Sequence, residues 1–581
     1  MGALACSVRF IAALSNHDPL LVQAVHDQLA RVDNALMVKQ RQTARICSRD
    51  ERHRAKRVIL SQIFDKRFNA LAVADGGLLA GGLKGIEKES LRLDLEGYLS
   101  RRSHPDGLGS ALSNRYVTTD FSEALLEFVT PAYAATWEAL HFLCDLHQFT
   151  YAQLEEELLW IASMPCQIPQ DEKIPLAQYG TSNIGQMKTI YRRGLGHRYG
   201  RYMQTIAGVH FNYSLPEAFW PQYQLIAGDD REEREFRSDQ YMGLVRNFHR
   251  FGWLVLYLFG ASPAMCKSFG GGAELDMASL NAETWYEPFG TSLRMSDLGY
   301  SNQNQSRIKI SVNDLDGYIH DLEEAINTPE PDYEKIGVKV DGEYRQLSAN
   351  RLQIENEYYS PVRPKRVARS GERPTSALLR GGIEYVEIRS LDINIDDPAG
   401  VNQNTMRFME AFLIYCLLED SPPLDGGSLD EIKHNQAHTA KKGRDPELRL
   451  RRDGAETSLG SWANEILDNV SGVAGLIDQA DGGASYAQTV RLMQELVDEP
   501  MATPSARLLE ELKQAHCSFF DYAISVARSH RDYFASIAPL SAARVDEFAC
   551  EAARSVEQQR EIEIGDEISL DEHLANYFSS D

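Results

Sequence analysis

The 581-residue sequence predicts an α+β fold in which an antiparallel sheet is followed by a mainly helical part. Between residues 71 and 400, short strand-like runs mix with helical stretches without regular alternation, which favours an antiparallel sheet over a doubly wound one. From residue 401 onward, apolar side chains recur at helical spacing. We therefore expect an N-terminal extension (1–70), a sheet region (71–400) and a helical region packed on it (401–581).

Four segments have the composition of strands: 85–93, 208–215, 351–359 and 382–393. In the first, GIEKESLRL, alternation places Glu87 and Glu89 on the same face as Leu91 and Leu93. A half-buried strand normally keeps its carboxylates on the water side, so two acids beside two leucines are unusual. An E-x-E pair alone is more often a solvated strand face, and it needs further support before it indicates a site.

In two long segments of the helical region, 405–420 and 506–527, apolar residues recur at helical spacing. The segment 421–460 is rich in Pro, Gly and charge and predicts an exposed loop. The acidic tail 557–573 predicts a solvated surface, and the basic piece 39–67 predicts a solvated helix or a poorly ordered arm.

Composition excludes several function classes. Asp and Glu number 84 against 60 Lys and Arg, and a net charge of -24 repels a phosphate backbone, so no nucleic-acid partner is expected. No apolar run approaches the ~20 residues that a membrane helix needs, and the first residues lack a signal-peptide pattern. The eight cysteines are scattered, which predicts reduced thiols and a cytoplasmic location, with neither a disulfide nor a zinc site.

Several predicted strands offer further polar side chains. Glu387 and Arg389 share a face of 382–393, and His210 lies on the polar face of 208–215. Asp120 and Glu127 fall on opposite faces of a continuous strand, so only a bend between them would bring them together. Carboxylates clustered inside a fold are costly without a counter-ion, and Mg²⁺ or Mn²⁺ is a natural one. An arginine nearby suits a phosphoryl group, so the combination indicates phosphoryl transfer.

A family resemblance rests on eight sequence blocks, which follow one another between about residues 80 and 400 in the same order as in the family. The blocks are GIEKESLR, TTDFSEALLEFVTP, LAQYGTSNIGQMKTIYRRGL, RYMQTIAGVHFNYSLP, FGASPAMC, SLRMSDLGY, LQIENEYYSPVRPKR and LLRGGIEYVEIRSLDIN. They resemble the proteobacterial-type glutamate–cysteine ligases. The resemblance implies a glutamine-synthetase-like catalytic sheet that forms a metal-lined cavity. It also implies ATP- and Mg²⁺- or Mn²⁺-dependent joining of L-glutamate to L-cysteine through a γ-glutamyl phosphate, the first step of glutathione synthesis. A monomer and feedback inhibition by glutathione are implied as well.

The resemblance also assigns roles, residue by residue. Arg389 corresponds to the arginine at the transferring phosphoryl group, and Arg363 is a second candidate there. The cysteine amine must also lose a proton, and Asp120 is our own candidate for the base, which the resemblance does not assign. The implied metal ligands are Glu87, Glu89, Asp120, Glu127, His210 and Glu387. The implied cysteine pocket comprises Phe121, Tyr191, Leu195, Gln204, Tyr300 and Tyr359. Arg192 and Arg294 correspond to residues that hold substrate carboxylates, and the loop 287–305 is a candidate for closing the site.

Three other interpretations stay open at this point. The first is a related carboxylate–amine ligase with a different amine acceptor, the second is an inactive homologue that acts by binding, and the third is a hydrolase that loses its acyl phosphate to water. The aromatic pocket favours cysteine over other amines, and the intact acids, histidine and arginine favour an active enzyme.

Overall fold

The computed structural model describes residues 62–74, 76–270, 275–299, 308–369 and 371–579. Two compact units divide the chain, Met1–Lys66 and Arg67–Asp581, and the sheet and the candidate site belong to the second. Most of the basic piece 39–67 lies outside the described residues, so its predicted character stays a prediction.

Antiparallel pairing defines the sheets of the second unit. In the main, seven-stranded sheet the order is β11-β12-β5-β1-β3-β2, and β4 pairs with the end of β1. The strands are β1 Leu83–Asp94, β2 Val117–Thr119, β3 Leu125–Val129, β4 Glu157–Leu159, β5 Val209–Ser214, β6 Ala264–Cys266, β7 Ala278–Ser279, β8 Thr284–Tyr286, β9 Lys339–Val340, β10 Glu343–Tyr344, β11 Val362–Lys365, β12 Tyr385–Leu391, β13 Arg449–Arg452 and β14 Ala455–Ser458.

Helices form the rest of the framework. They are α1 Gln62–Val73, α2 Thr136–Gln153, α3 Asn183–Tyr199, α4 Phe219–Ala227, α5 Glu233–Phe251, α6 Trp253–Phe259, α7 Leu315–Asn327, α8 Pro331–Ile336, α9 Pro374–Gly381, α10 Gln403–Leu418, α11 Gly426–Lys442, α12 Leu459–Asp481, α13 Ser485–Asp498, α14 Pro504–Ala515, α15 Phe519–Ser536, α16 Ala542–Ile564 and α17 Leu570–Ser579. The predicted α+β class, with its antiparallel sheet and helical C-terminal part, is confirmed.

The strands predicted at 85–93, 208–215 and 382–393 are present as β1, β5 and β12. The strand predicted at 351–359 is wrong, because this segment contains a 3₁₀ turn at Glu355–Glu357. Its backbone is held by side chains: the Gln353 N–H donates to Glu357 Oε2 over 2.7 Å. Such local side-chain acceptors compete with a sheet ladder, and strand alternation does not register them.

One expectation for the helical part is confirmed and one is wrong. The segment 506–527 is helical as expected, and a left-handed His516 (φ 52°) together with the Ser518 cap divides it into α14 and α15. The segment 421–460 is not one exposed loop but contains α11 and the hairpin β13–β14. Asp425 caps α11 by accepting from Ser428 N–H, and this start signal was present in the sequence.

The thiol prediction needs a correction. Cys166 and Cys266 form a disulfide across 100 residues of sequence, with Cα atoms 5.4 Å apart. Spacing along the chain could not reveal this pair, because the fold alone brings the end of β6 beside the segment after β4. Among the described cysteines, Cys144, Cys416, Cys517 and Cys550 are unpaired.

Within the described ranges, no helix is long and apolar enough to cross a membrane. Helix α10 is buried over nearly its whole length, from Met406 to Leu418, and packs against α5 and the back of the main sheet. The loop beginning at residue 287 has no regular structure up to residue 299, yet Leu293 and Arg294 within it are buried. This loop and the main sheet frame the candidate site.

Candidate functional site

Carboxylates from β3, β1 and β12 converge on one face of the main sheet, where β5 lies between β1 and β12. Glu89 of β1 lies opposite Glu127 of β3, and Glu87 lies opposite His210 of β5. On the far side of β5, Glu387 of β12 continues this face. Directly paired residues project to the same side of a sheet, so antiparallel register turns acids that are scattered in sequence into one cluster.

His210 lies at the centre of this acid cluster. Its Nδ1 atom is 3.0 Å from Oε2 of Glu87 and 3.5 Å from Oε1 of Glu387. Its Nε2 atom is 3.8 Å from Oε1 of Glu89. Ligand atoms of Glu87, His210 and Glu387 all lie within 4.8 Å of one another. Carboxylate oxygens and an imidazole nitrogen at this spacing can surround one divalent cation.

Glu387 provides a test of whether these residues suit a cation. The residue is buried, and Lys365 Nζ lies 3.4 Å from its Oε2 atom. Even so, Oε2 accepts no hydrogen bond from the described residues. A buried carboxylate oxygen without a donor is costly, and a hard cation would satisfy it. The donor set therefore fits Mg²⁺ or Mn²⁺.

Burial and mutual repulsion make the ionised forms of these clustered acids unfavourable. Burial raises the pKa of Glu127 well above its usual range, and the charges of Glu87, Asp120 and Glu89 raise it further. Burial also raises the pKa of Glu89, although His210 partly opposes this effect. The turn between β2 and β3 supplies the bend that brings Asp120 near Glu127, since Asp120 N–H donates to the Leu125 carbonyl over 3.0 Å.

Two arginines place positive charge beside Glu387. Arg389 Nη1 donates to Glu387 Oε1 over 2.8 Å, and Arg363 of β11 lies directly opposite Glu387 in the ladder. Burial opposes the charged form of Glu387, but Lys365, Arg389 and Arg363 outweigh burial and hold its pKa well below the usual range. Glu387 therefore stays ionised next to groups that can also face a phosphate.

A cavity of about 330 Å³ opens beside the acids, a volume suited to small substrates. Glu89 and Asp120 lie on its polar side, and α3 contributes Tyr191, Arg192 and Leu195 to another wall. Ten of the residues predicted from the sequence line this cavity: Glu89, Asp120, Phe121, Tyr191, Arg192, Leu195, Gln204, Tyr359, Arg363 and Arg389.

Arg294 is placed behind the cavity wall. It is buried, and its Nη2 donates to the Arg389 carbonyl over 2.8 Å. Its Nη1 lies 3.9 Å from Asp392 Oδ1, and a Cβ at Gly208 would come within 2.1 Å of Nη2. The predicted contact of Arg294 with a substrate carboxylate stays a prediction. Tyr300, the last member of the predicted pocket, lies outside the described residues.

Sequence reasoning missed seven wall residues, and helical spacing could have found one of them. Tyr199 follows Tyr191 and Leu195 at intervals of four on α3, so it faces the same way. Glu357 accepts from Arg198 Nη1 over 2.8 Å and from Tyr199 OH over 2.6 Å, which marks it as a paired, structural acid. The seven residues are Tyr199, Met203, Asp297, Leu298, Gly299, Asn356 and Glu357.

Comparisons with known proteins agree with this geometry. The family model described as glutamate-cysteine ligase matches residues 70–439. A glutamate–cysteine ligase of Alcanivorax borkumensis is 49% identical over 524 residues, which cover 88% of this chain and 99% of that one. The crystal structure of a glutamate–cysteine ligase of Francisella tularensis in complex with AMP is 35% identical, with a TM-score of 0.81 over 86% of this chain and 98% of that one. A bifunctional glutathione synthetase of Pasteurella multocida, 22% identical with a TM-score of 0.61 over 82% of this chain and 54% of that one, shares the fold.

Proposed function

The chain belongs to the glutamate–cysteine ligase family, and on this premise we propose that it joins the γ-carboxyl group of L-glutamate to the amine of L-cysteine while ATP is cleaved to ADP and phosphate. The product would be γ-glutamylcysteine, made in the first step of glutathione biosynthesis. The single observation that carries the proposal is the position of the acid cluster, which lies next to two arginines and opens into a cavity with an aromatic wall.

Charge explains why such a cluster is needed. ATP and glutamate are both anionic, so they repel each other on approach. Mg²⁺ or Mn²⁺, held by Glu87, Glu89, Asp120, Glu127, His210 and Glu387, would supply Lewis-acid neutralisation of the phosphate and carboxylate oxygens. Without a cation, the five carboxylates of this set would repel both substrates.

The arginines act at the group that is transferred. An oxygen of the γ-carboxylate attacks the γ-phosphorus of ATP, the bond to ADP breaks, and γ-glutamyl phosphate forms. Arg389, and secondarily Arg363, would neutralise the charge that spreads over the phosphoryl oxygens. Their hydrogen bonds to Glu387 and to backbone carbonyls hold both guanidinium groups in place before the substrates bind.

The second step takes place at the acceptor side of the cavity. The cysteine nitrogen attacks the acyl carbon, the carbon–oxygen bond to phosphate breaks, and the nitrogen loses one proton. Asp120 lines the cavity and is our candidate for accepting that proton. Phe121, Tyr191, Leu195 and Tyr359 would surround the thiol side chain and exclude water, and the loop 287–305 would close over the acyl phosphate.

Further attributes follow from the same proposal. The region 71–400 would carry catalysis, and 401–581 would support it as part of one ligase unit, while the role of 1–70 stays open. The protein would act as a cytoplasmic monomer without a nucleic-acid or membrane partner. Glutathione, which contains the product as its first two residues, would compete for the cavity.

The test measures ADP release by the purified protein with Mg²⁺, ATP and L-glutamate, with and without L-cysteine, and identifies the product by mass. We expect ADP release to depend on cysteine and to yield γ-glutamylcysteine. Alanine, 2-aminobutyrate and ammonia serve as competing acceptors, of which 2-aminobutyrate matches cysteine in size but lacks the thiol.

Each competing function gives a different result. Turnover with ammonia or alanine in preference to cysteine would identify a related ligase and discard the cysteine pocket. Phosphate release from ATP and glutamate that is independent of any amine would identify a hydrolase. A folded, metal-loaded sample without turnover would identify an inactive homologue, and omission of Mg²⁺ and Mn²⁺ from the active enzyme should abolish ADP release.

A further inference from the structure

The C-terminal end of the chain runs behind the wall of the cavity. Its tail, 557–573, has largely exposed side chains, as the sequence predicted, but Glu563 and Asp566 within it accept hydrogen bonds at the start of α3. We propose that residues 563–578, which we call the C-terminal strap, position α3 and thereby set the affinity for the amino-acid substrates. This inference rests on the proposed function, since α3 supplies Tyr191, Arg192 and Leu195 to the cavity.

Two acids of the strap meet the N-terminus of α3. Asp566 Oδ2 accepts from the N–H of Asn183, the first residue of that helix, over 2.6 Å. Glu563 Oε1 accepts from Thr181 N–H, just before the Ser182 cap, over 2.8 Å. The first N–H groups of a helix lack intrahelical acceptors and carry a partial positive charge, so carboxylates there stabilise the helix start.

The approach of the strap is close and specific. Gly180 has a φ of +79°, and a Cβ there would lie 2.2 Å from Gln559 Nε2 and 2.3 Å from Glu563 Oε1. Asn183 Nδ2 also donates to the Ile568 carbonyl over 2.9 Å. Glycine at 180 therefore meets two requirements at once, a left-handed backbone and a chain passing against it.

Helix α17 then packs against the side of α3 that adjoins its cavity-facing side. Leu574 is buried in a small apolar cluster with Met187 and Ile190 of α3, and Tyr191 packs against the same cluster. Met187, Ile190 and Tyr191 follow helical spacing, so they form one stripe on α3. Tyr191 thus touches the strap's cluster on one side and lines the cavity on the other.

The strap also reaches the opposite wall. Tyr577 packs against this cluster with Ile354, the residue before the 3₁₀ turn that carries the wall residue Asn356. The charges of Glu355 and Arg373 act on the pKa of Tyr577, which burial raises. At its start, α17 is fixed by Asp571, which accepts from Tyr344 OH over 2.6 Å. The strap therefore packs against the elements that carry two walls of the cavity, α3 and the segment around Ile354.

The test compares steady-state kinetics of three strap variants. Leu574→Asp should detach α17, and Asp566→Ala should remove the acceptor at the start of α3, whereas Asp566→Asn keeps an acceptor oxygen. We expect the first two to raise the KM for L-cysteine about tenfold, because a displaced helix misplaces its substrate contacts. The KM for ATP and kcat should change less than about twofold, and Asp566→Asn should restore most of the affinity.

A matched control removes an acid from the same end of the chain without touching α3. Glu557→Ala breaks only an exposed pair with Arg560 and should leave every KM unchanged. Equal increases in all KM values, or a kcat loss with KM intact, would overturn the positioning role, and so would failure of Asp566→Asn to rescue Asp566→Ala.

Amide hydrogen exchange provides a readout that needs no turnover. In full-length Leu574→Asp, peptides covering 183–195 should exchange at least about tenfold faster than in the wild type, while peptides of β1 keep their protection. Unchanged exchange in 183–195 would contradict the strap even if the enzyme is a ligase. Faster exchange in a protein that makes no γ-glutamylcysteine would support the strap and reject the proposed function alone.

Discussion

The two faces of β1 carry side chains of opposite charge, and these side chains have different kinds of partner. On the cavity side, Glu87 and Glu89 share His210, and neither forms an ion pair with a lysine or arginine among the described residues. On the opposite side, Lys84 Nζ lies 2.7 Å from Glu410, and Arg92 Nη1 lies 2.9 Å from Glu157. One strand of twelve residues thus separates acids that share a histidine from bases of which Lys84 and Arg92 each pair with a glutamate, while the buried Lys88 contacts Ser90 and His147 instead.

The ion-pair partners on each face of β1 indicate whether that face serves stability or ligand binding. Glu410 accepts from Lys84 through both oxygens and also from Tyr486 OH. A buried charge satisfied in this way specifies the fold, and losing its partner leaves an uncompensated charge. On the cavity side, Glu387 instead keeps an oxygen without a donor among the described residues, and burial raises the pKa values of Glu89 and Glu127, which suits ligand binding better than stability.

The largest expected effect is on the cavity side. Glu89→Gln should lower kcat about a thousandfold, because it removes one charge from the metal-binding set. The midpoint of thermal unfolding should stay the same or rise, since a Gln oxygen can still accept from Gly208 N–H and the repulsion from Asp120 is relieved. Measurements of ADP release and calorimetry on the same sample check both effects.

Glu96→Gln is the matched control, because Glu96 is an exposed acid just beyond the end of the same strand. It should change neither kcat nor thermal stability. If Glu89→Gln kept wild-type turnover and metal dependence, the acid cluster would have to be reassigned as structural.

A smaller effect, on stability, is expected on the opposite face. Lys84→Met should lower the free energy of unfolding by about 3 kcal/mol at pH 7, because Glu410 stays buried without its cation. Folded molecules should keep their kcat and KM values, since Lys84 points away from the cavity. Urea unfolding and specific activity per folded molecule check this prediction, and a large kcat loss would contradict the division between the faces.

The same variant should respond to pH in a defined direction. Burial already raises the pKa of Glu410, and Lys84 lowers it, so removal of Lys84 raises it further. A carboxyl group whose folded-state pKa exceeds its unfolded value favours folding at low pH, and that contribution is lost as the pH rises through the folded pKa. The deficit of Lys84→Met relative to the wild type should therefore shrink between pH 7 and pH 5.

The smallest effect on stability is expected at Glu551, whose two partners, Arg115 and Arg554, are partly exposed to solvent. Burial alone would raise the pKa of Glu551, but hydrogen bonds from Arg554 and Arg115 lower it to about 2. Stability from this group is present above its unfolded pKa and is lost as the pH falls from about 4.5 toward 2. Because both arginines are partly exposed, the loss should be about 1 kcal/mol.

Urea unfolding at pH 5 and pH 3 tests this pair when the wild type is compared with Glu551→Gln. The difference between the two proteins should be larger at pH 5 than at pH 3, and it should disappear only as the pH approaches the folded-state pKa of about 2. If Glu551→Gln lowered the free energy of unfolding as much as Lys84→Met does, solvent exposure would not explain the different strengths of these two sets of ion pairs.

Much of the site could be predicted because β-strand geometry is local. Alternation alone placed Glu87 and Glu89 together, and Glu387 with Arg389, and the observed ladders put each pair on the cavity face. The prediction failed at 351–359, where Glu357 bonds to Arg198 and to backbone groups of its own segment. A local side-chain acceptor and a long-range ion pair together decided the conformation of that segment, and strand periodicity indicates neither of them.

The sequence by itself determined the fold class, the main strands and the polar residues at their faces, because these follow from side-chain alternation and from blocks of contiguous residues. Only the tertiary structure decided which acids meet across strands, that Cys166 joins Cys266, and that the C-terminal strap lies behind α3. These features join segments that are far apart in the chain, and their energies depend on distance and burial, which a linear sequence does not contain.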